Sequence, residues 1–161
     1  VLMDGDHDLT RSFEVTQHAQ QTVFAALADQ AVDLRGIVLK PSMVISGAGA
    51  ADRAAIKEVA QQTLRCLLST VPAAVPGIAF LSGGQSDEEA TQHLNTMNEI
   101  GGSLPWAVAF SYGRALQAAA MKRWAGHSDN VESARQVAFH RAQMNGAAAL
   151  GQYSSEMEKA A

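Results

Sequence analysis

The sequence predicts an α/β fold in which helices cover the outer face of a parallel sheet. Short continuous apolar runs alternate with longer stretches of helical periodicity. The candidate strands begin near residues 37, 77 and 106, a spacing typical of βα units. Three strands are too few for a closed eight-stranded barrel, which takes about 250 residues. The chain is therefore either a small open sheet or part of a longer protein.

Each element is predicted from its own local pattern. Asp8 is a helix cap before an apolar stripe, and the β-branched run "GIVLK" is a strand of the kind that is buried on both faces. The stretch "SDEEA" contains a capping box, Ser86 to Glu89, at the start of a helix. In chain order we expect helix 8–30, strand 36–40, helix 50–71, strand 77–84, helix 86–100, strand 106–113, helix 114–126 and helix 130–150.

The composition of the 161 residues fits one globular unit and excludes several classes of protein. A formal net charge of −4 argues against nucleic acid or an anionic membrane as the main partner. No apolar run approaches the roughly 18 residues of a spanning helix. A single cysteine, Cys66, cannot form an internal disulfide, so we expect a cytoplasmic protein. The first residues have neither a signal-peptide pattern nor an initiator Met, so we do not expect Val1 to be the native start.

Polar or glycine-rich residues follow all three predicted strands: Lys40, the "LSGG" of 81–84 and the "FSYGR" of 110–114. In parallel α/β folds, binding sites lie beyond the carboxyl ends of the strands. If the strands are neighbours, the three loops face one space.

Two of these loops are candidate phosphate sites. Paired glycines in 82–84 let backbone N–H groups approach an anion, and the helix at Gly113 and Arg114 begins without an acid. The helix after the first loop begins with three acids, so we expect the anion to sit against the Ser82–Gly84 loop and to lean toward Arg114. The alternative is that the glycines only form tight strand–helix turns.

Lys40 would then be close to the carbonyl of a bound phosphorylated sugar. A lysine desolvated near other cations loses its proton easily and becomes a nucleophile for carbonyls. The alternative is a lysine whose ammonium simply extends from a strand end into water.

The acids near the N-terminus do not form a recognisable metal site. An EF-hand loop starting at Asp4 would need Gly at position 9 and Glu at position 15, where Leu9 and Val15 stand. Because the histidines are scattered singly, a metal-dependent reaction is not supported, and we expect no cofactor.

Several motifs together resemble one known family. The segments "DGDHDL", "VLKPSMV", "VPAAVPGIAFLSGGQSDEEA" and "PWAVAFSYGRALQAAAMKRWAG" are similar, in order and spacing, to the C-terminal half of class I fructose-bisphosphate aldolases. The resemblance covers essentially all 161 residues. It implies half of a (β/α)8 TIM barrel, with the N-terminal half absent from this chain.

The same resemblance implies a glycolytic lyase that cleaves fructose 1,6-bisphosphate through a lysine Schiff base, without metal, as a cytoplasmic homotetramer. Lys40 matches the Schiff-base lysine. The residues that match the family's binding site for the ketose phosphate are Ser82, Gly83, Gly113 and Arg114. The family's catalytic glutamate falls before Val1, so the 161 residues alone are expected to be inactive. Two alternatives stay open: a non-catalytic phospho-ligand or interaction module, and another imine-forming barrel enzyme of the transaldolase type.

Overall fold

A computed structural model describes residues 3–160; Val1, Leu2 and Ala161 lie outside the described residues. Within them, helices and strands alternate in the predicted order. The helices are α1 (Leu9–Asp29), α2 (Ile56–Thr70), α3 (Asp87–Ile100), α4 (Arg114–Trp124) and α5 (Val131–Ala148), and the strands are β1 (Val38–Leu39), β2 (Gly77–Phe80) and β3 (Ala107–Phe110). Short 3₁₀ helices occupy Leu34–Gly36, Ser128–Asn130 and Ser155–Ala160.

The three strands form one parallel sheet in the order β1–β2–β3. Gly77 lies opposite both Val38 and Ala107, which fixes the register across the sheet. The pairing continues past the strand ends, because the Leu81 N–H donates to the Pro41 carbonyl at 3.1 Å.

The two faces of this sheet have different surroundings. Ile78 and Phe80 are fully buried on the face that packs against the helices. The opposite face, here called the open face, carries Val38 and four small residues (Gly77, Ala79, Ala107 and Ala109). Val38 is 64% exposed, so the expectation that the first strand is buried on both faces is wrong for the described residues. The reason is that within residues 3–160 the open face is left largely to solvent.

The second helix begins later than its sequence pattern predicts. Residues 50–55 form a bend, and α2 begins at Ile56. The bend is held in place because the Ala54 N–H donates to the Ser46 hydroxyl at 3.1 Å. This bend lies next to the loop that follows β2.

A buried ion pair anchors the last 3₁₀ helix to α5. Arg141 Nη1 donates to both carboxylate oxygens of Glu158, at 2.6 and 2.7 Å, and the Tyr153 hydroxyl donates to Glu158 Oε1 at 3.0 Å. Burial alone would raise the pKa of Glu158, but the hydrogen bonds from Arg141 and His140 outweigh it and hold that pKa below its usual value. The carboxylate therefore stays charged and keeps the segment docked.

We expect Glu158→Ala to lower the free energy of unfolding by about 3–5 kcal/mol, because it leaves the Arg141 guanidinium buried without its partner. The matched control is Glu156→Ala, in the same 3₁₀ helix, whose exposed pair with Lys159 contributes at most about 1 kcal/mol. Urea unfolding of the full-length protein measures the loss of unfolding free energy in both variants. Equal losses in the two variants would contradict the assignment of the anchor to Glu158.

Candidate active site

The structure brings the three predicted strand ends to one edge of the sheet. Because β1, β2 and β3 are parallel, the loops after them all leave from the same edge. The Leu81 N–H bonds to the Pro41 carbonyl, and the Ser111 N–H donates to the Phe80 carbonyl at 2.8 Å. Each loop is thus tied to the next at its first residues.

Ser82 joins the two candidate phosphate loops. Its side chain is buried, and its Oγ accepts a hydrogen bond from the Ala115 N–H, in the first turn of α4, at 3.3 Å. A hydroxyl that accepts one bond still has its own proton to donate. An anion between the two loops can therefore take that proton as a hydrogen bond.

The glycines after Ser82 are required by space and by backbone conformation. The Gln85 N–H donates to the Ser82 carbonyl at 3.2 Å and closes a tight turn. Gly84 has φ +75°, and a Cβ there would lie 2.9 Å from Ile45 Cδ1; a Cβ at Gly83 would overlap the Met3 side chain. Both the turn and the anion-binding interpretation of this loop require these glycines.

The start of α4 is the more positive of the two helix ends at this edge. Gly113 caps the helix, Arg114 opens it, and its first turn contains no acid. The first turn of α3, by contrast, contains three acids, at 87–89. Because negative charge is stabilised at a helix N-terminus and repelled by carboxylates, an anion is favoured at α4.

Lys40 lies on the open face, two residues after Val38, and in the continued register it is opposite Ala79. Its side chain is exposed, so the expected desolvation is not found in the described residues. The reason is that β1 is an outer strand of the sheet and the open face beside it is uncovered. A cavity of about 260 Å³ next to Lys40 is lined by Leu39, Pro41, Ser42 and Leu81 and, from α1, by Gln20 and Phe24.

With this geometry in place, comparison with known proteins identifies the family. The family model for glycolytic, class-I fructose-bisphosphate aldolases matches residues 1–161. The chain belongs to this family. It is 52% identical over 154 residues to a probable fructose-bisphosphate aldolase class 1 of Xanthomonas campestris pv. campestris, covering 95% of this chain and 46% of that protein. Fructose-bisphosphate aldolase 2 of Caenorhabditis elegans is 47% identical over 156 residues, covering 97% of this chain and 43% of that protein.

The fold is that of the corresponding part of a solved aldolase. The fructose-bisphosphate aldolase of Plasmodium falciparum superposes with a TM-score of 0.92 at 45% identity, over 96% of this chain and 44% of that chain. The predicted fold class, the C-terminal half of a TIM barrel, is confirmed. The chain spans less than half the length of these aldolases.

Two residues that contact the loop Ser82–Gln85 were missed by the sequence analysis. Arg53 donates from Nη2 to the Gly84 carbonyl at 3.0 Å, from the bend that the sequence pattern predicts to be helical. His93, fully buried in α3, has its Nδ1 2.7 Å from Gln85 Oε1. Burial, and secondly the charge of Arg53, lower the pKa of His93 to about 4, so the imidazole is neutral near pH 7. No local sequence signal marks either contact.

Between residues 3 and 160, no group of three His, Cys, Asp or Glu side chains is arranged to hold a metal ion. None of the helices in that part of the chain is long and apolar enough to cross a bilayer.

We expect His93 to make the stability of the protein fall in mild acid. Its folded pKa lies below the ordinary 6.5, so from pH 6.5 down to about 4 the unfolded chain binds a proton that the folded chain does not. The contribution of His93 to the free energy of unfolding is therefore fully present above pH 6.5 and declines toward pH 4.

The measurement is urea unfolding of the full-length protein at pH 7.5 and 4.5. His93→Asn should reduce the loss between these pH values by about 2 kcal/mol, since Asn does not titrate. His18→Asn, at an exposed position of α1, is the control and should leave the loss unchanged. If both variants keep the wild-type pH dependence, His93 is not its source.

Proposed function

We propose that the chain is part of an enzyme that reversibly cleaves fructose 1,6-bisphosphate into dihydroxyacetone phosphate and glyceraldehyde 3-phosphate through a Schiff base on Lys40. One observation carries the proposal: a lysine on the open face stands at the same edge of the sheet as two linked loops whose backbone and side-chain donors suit an anion. The names of the related aldolases support the same reaction.

In this proposal the ketose phosphate is held between the loop after β2 and the start of α4. The Ser82 hydroxyl donates to one phosphate oxygen while its Oγ keeps the bond from Ala115. Backbone N–H groups of Gly83 and Gly113 and the Arg114 guanidinium supply further donors. The acids of α3 keep the anion away from that helix.

The open face gives the rest of the sugar room to lie near Lys40. Ala79, opposite Lys40, and Ala109, opposite Ala79, carry only methyl groups. A carbon chain anchored by its phosphate at the loops can therefore extend over these two residues, with its carbonyl toward the lysine amine.

The chemistry assigned to Lys40 is covalent catalysis. Its neutral amine adds to the ketone carbon, and loss of water gives a protonated imine. The C3–C4 bond then breaks, its electron pair moves into the imine to form an enamine, and the C4 hydroxyl loses its proton to a base. Protonation of the enamine and hydrolysis of the imine release dihydroxyacetone phosphate and restore the amine. By the family resemblance that base precedes Val1, and so do the residues that hold the second phosphate.

The second candidate function is a module that binds a phosphorylated ligand without chemistry. The exposure of Lys40 favours it, because no part of the described residues covers the amine and separates it from water. Assembly as a cytoplasmic homotetramer belongs to the aldolase proposal and rests on the resemblance alone.

We expect borohydride to trap dihydroxyacetone phosphate covalently on Lys40 of the full-length protein, because reduction converts the imine into a secondary amine that does not hydrolyse. Peptide mass spectrometry locates the adduct. Lys40→Arg keeps the charge but cannot form the imine, so it should abolish labelling, whereas Lys57→Arg, at an exposed position of α2, should not. Phosphate binding without any adduct would support the non-catalytic module, and an adduct on another lysine would reject the role of Lys40.

We expect the isolated 161-residue chain to show no aldol cleavage, because the proposed base and the second phosphate pocket lie outside it. A coupled assay of the purified chain, prepared from a host that lacks its own aldolase, measures this. The full-length protein in the same assay is the positive control. Cleavage by the isolated chain that Lys40→Arg abolishes would contradict the assignment of an essential base to the preceding segment.

A further inference from the structure

We propose that Arg53 is a positioning residue that holds the loop Ser82–Gln85 in its anion-binding conformation. The inference rests on the proposed function, since it assigns a role in binding the phosphate of the same substrate. Arg53 comes from the bend before α2, between β1 and β2, and it reaches the loop that follows β2.

A single nitrogen of Arg53 makes two contacts. Nη2 donates to the Gly84 carbonyl at 3.0 Å and lies 3.2 Å from Glu89 Oε1. The other oxygen of Glu89 accepts from the Ser86 N–H at 3.2 Å, as part of the capping box of α3. Arg53 therefore ties the glycine of the loop to the fixed first turn of the next helix.

The loop is anchored at two further residues by different elements. The Ser82 Oγ accepts from the start of α4, and the Gln85 side chain bonds to His93 in α3. Gly83 and Gly84 lie between these anchors and have no side chains to hold them. The Arg53 contact is the side-chain bond that fixes the backbone within this glycine pair.

Fixing a glycine pair matters because glycine has the largest backbone freedom of any residue. If the loop has to be ordered when the anion arrives, the lost conformational entropy is subtracted from the binding free energy. If one residue fewer has to be ordered when the anion binds, the affinity is about tenfold higher. A loop already held by Arg53 presents its N–H groups without that loss.

Arg53 itself stands on a supported backbone. The next residue, Ala54, donates its N–H to the hydroxyl of Ser46, which is buried. The guanidinium is therefore attached to a fixed bend, and its contact with Gly84 restrains the loop relative to the core.

The test measures phosphate affinity and catalysis separately in the full-length protein. Arg53→Met should raise the Kd for inorganic phosphate, and the KM for fructose 1,6-bisphosphate, by about tenfold, with kcat within about twofold of wild type. Arg53→Lys should restore Kd and KM to within about threefold of wild type, because one ammonium can make both contacts of Nη2. Arg135→Met, which removes an exposed arginine of α5, is the matched control and should change neither value.

The outcomes separate this inference from the aldolase proposal. If phosphate binds and Arg53→Met weakens it while wild type forms no borohydride adduct on Lys40, the catalytic proposal fails and the positioning role stands. The positioning role is overturned if wild type does not bind phosphate, if Arg53→Met leaves Kd unchanged, or if Arg53→Lys is as weak as Arg53→Met. A drop in kcat with Kd unchanged would also overturn it.

Discussion

Parallel pairing of β1, β2 and β3 in a fixed register determines what the loops after them can do. The pairing sends all three loops from one edge, and it sets which side chains reach the open face. A slip of β2 by one residue would turn Phe80 toward the open face and Ala79 toward the helices. It would also carry Ser82 away from Ala115. The burial of Ile78 and Phe80 against the helices therefore stabilises this register, and with it the arrangement of polar groups beyond the strand ends.

Features that depend on local chemistry were predictable from the sequence. The alternation of strands and helices follows from periodicity, and the capping box of Ser86 and Glu89 forms both of its expected hydrogen bonds. The grouping of Lys40, Ser82 and Gly113 at one edge followed from a general property of parallel sheets, once the strand ends had been located.

Features that depend on distant contacts were not predictable. The bend at 50–55 has a helical sequence pattern, but its path follows contacts with distant residues, among them the bond from Ala54 to Ser46 and the contact from Arg53 to Gly84. The exposure of Lys40 depends on what covers the open face, which no pattern within the strand records. The Arg141–Glu158 pair likewise joins residues 17 positions apart, whose charges look like ordinary surface charges in the sequence.

The small residues of the open face have a consequence for how this scaffold can diversify. Ala79 and Ala109 lie opposite each other on this face, and each side chain is a single methyl group. In the proposed function, a bulkier residue at either position would shorten the sugar that fits beside Lys40 and would leave Ser82 and Arg114 unchanged. In the proposed function, the length of the bound sugar and the recognition of its phosphate therefore depend on different residues, so substitutions could change one and spare the other.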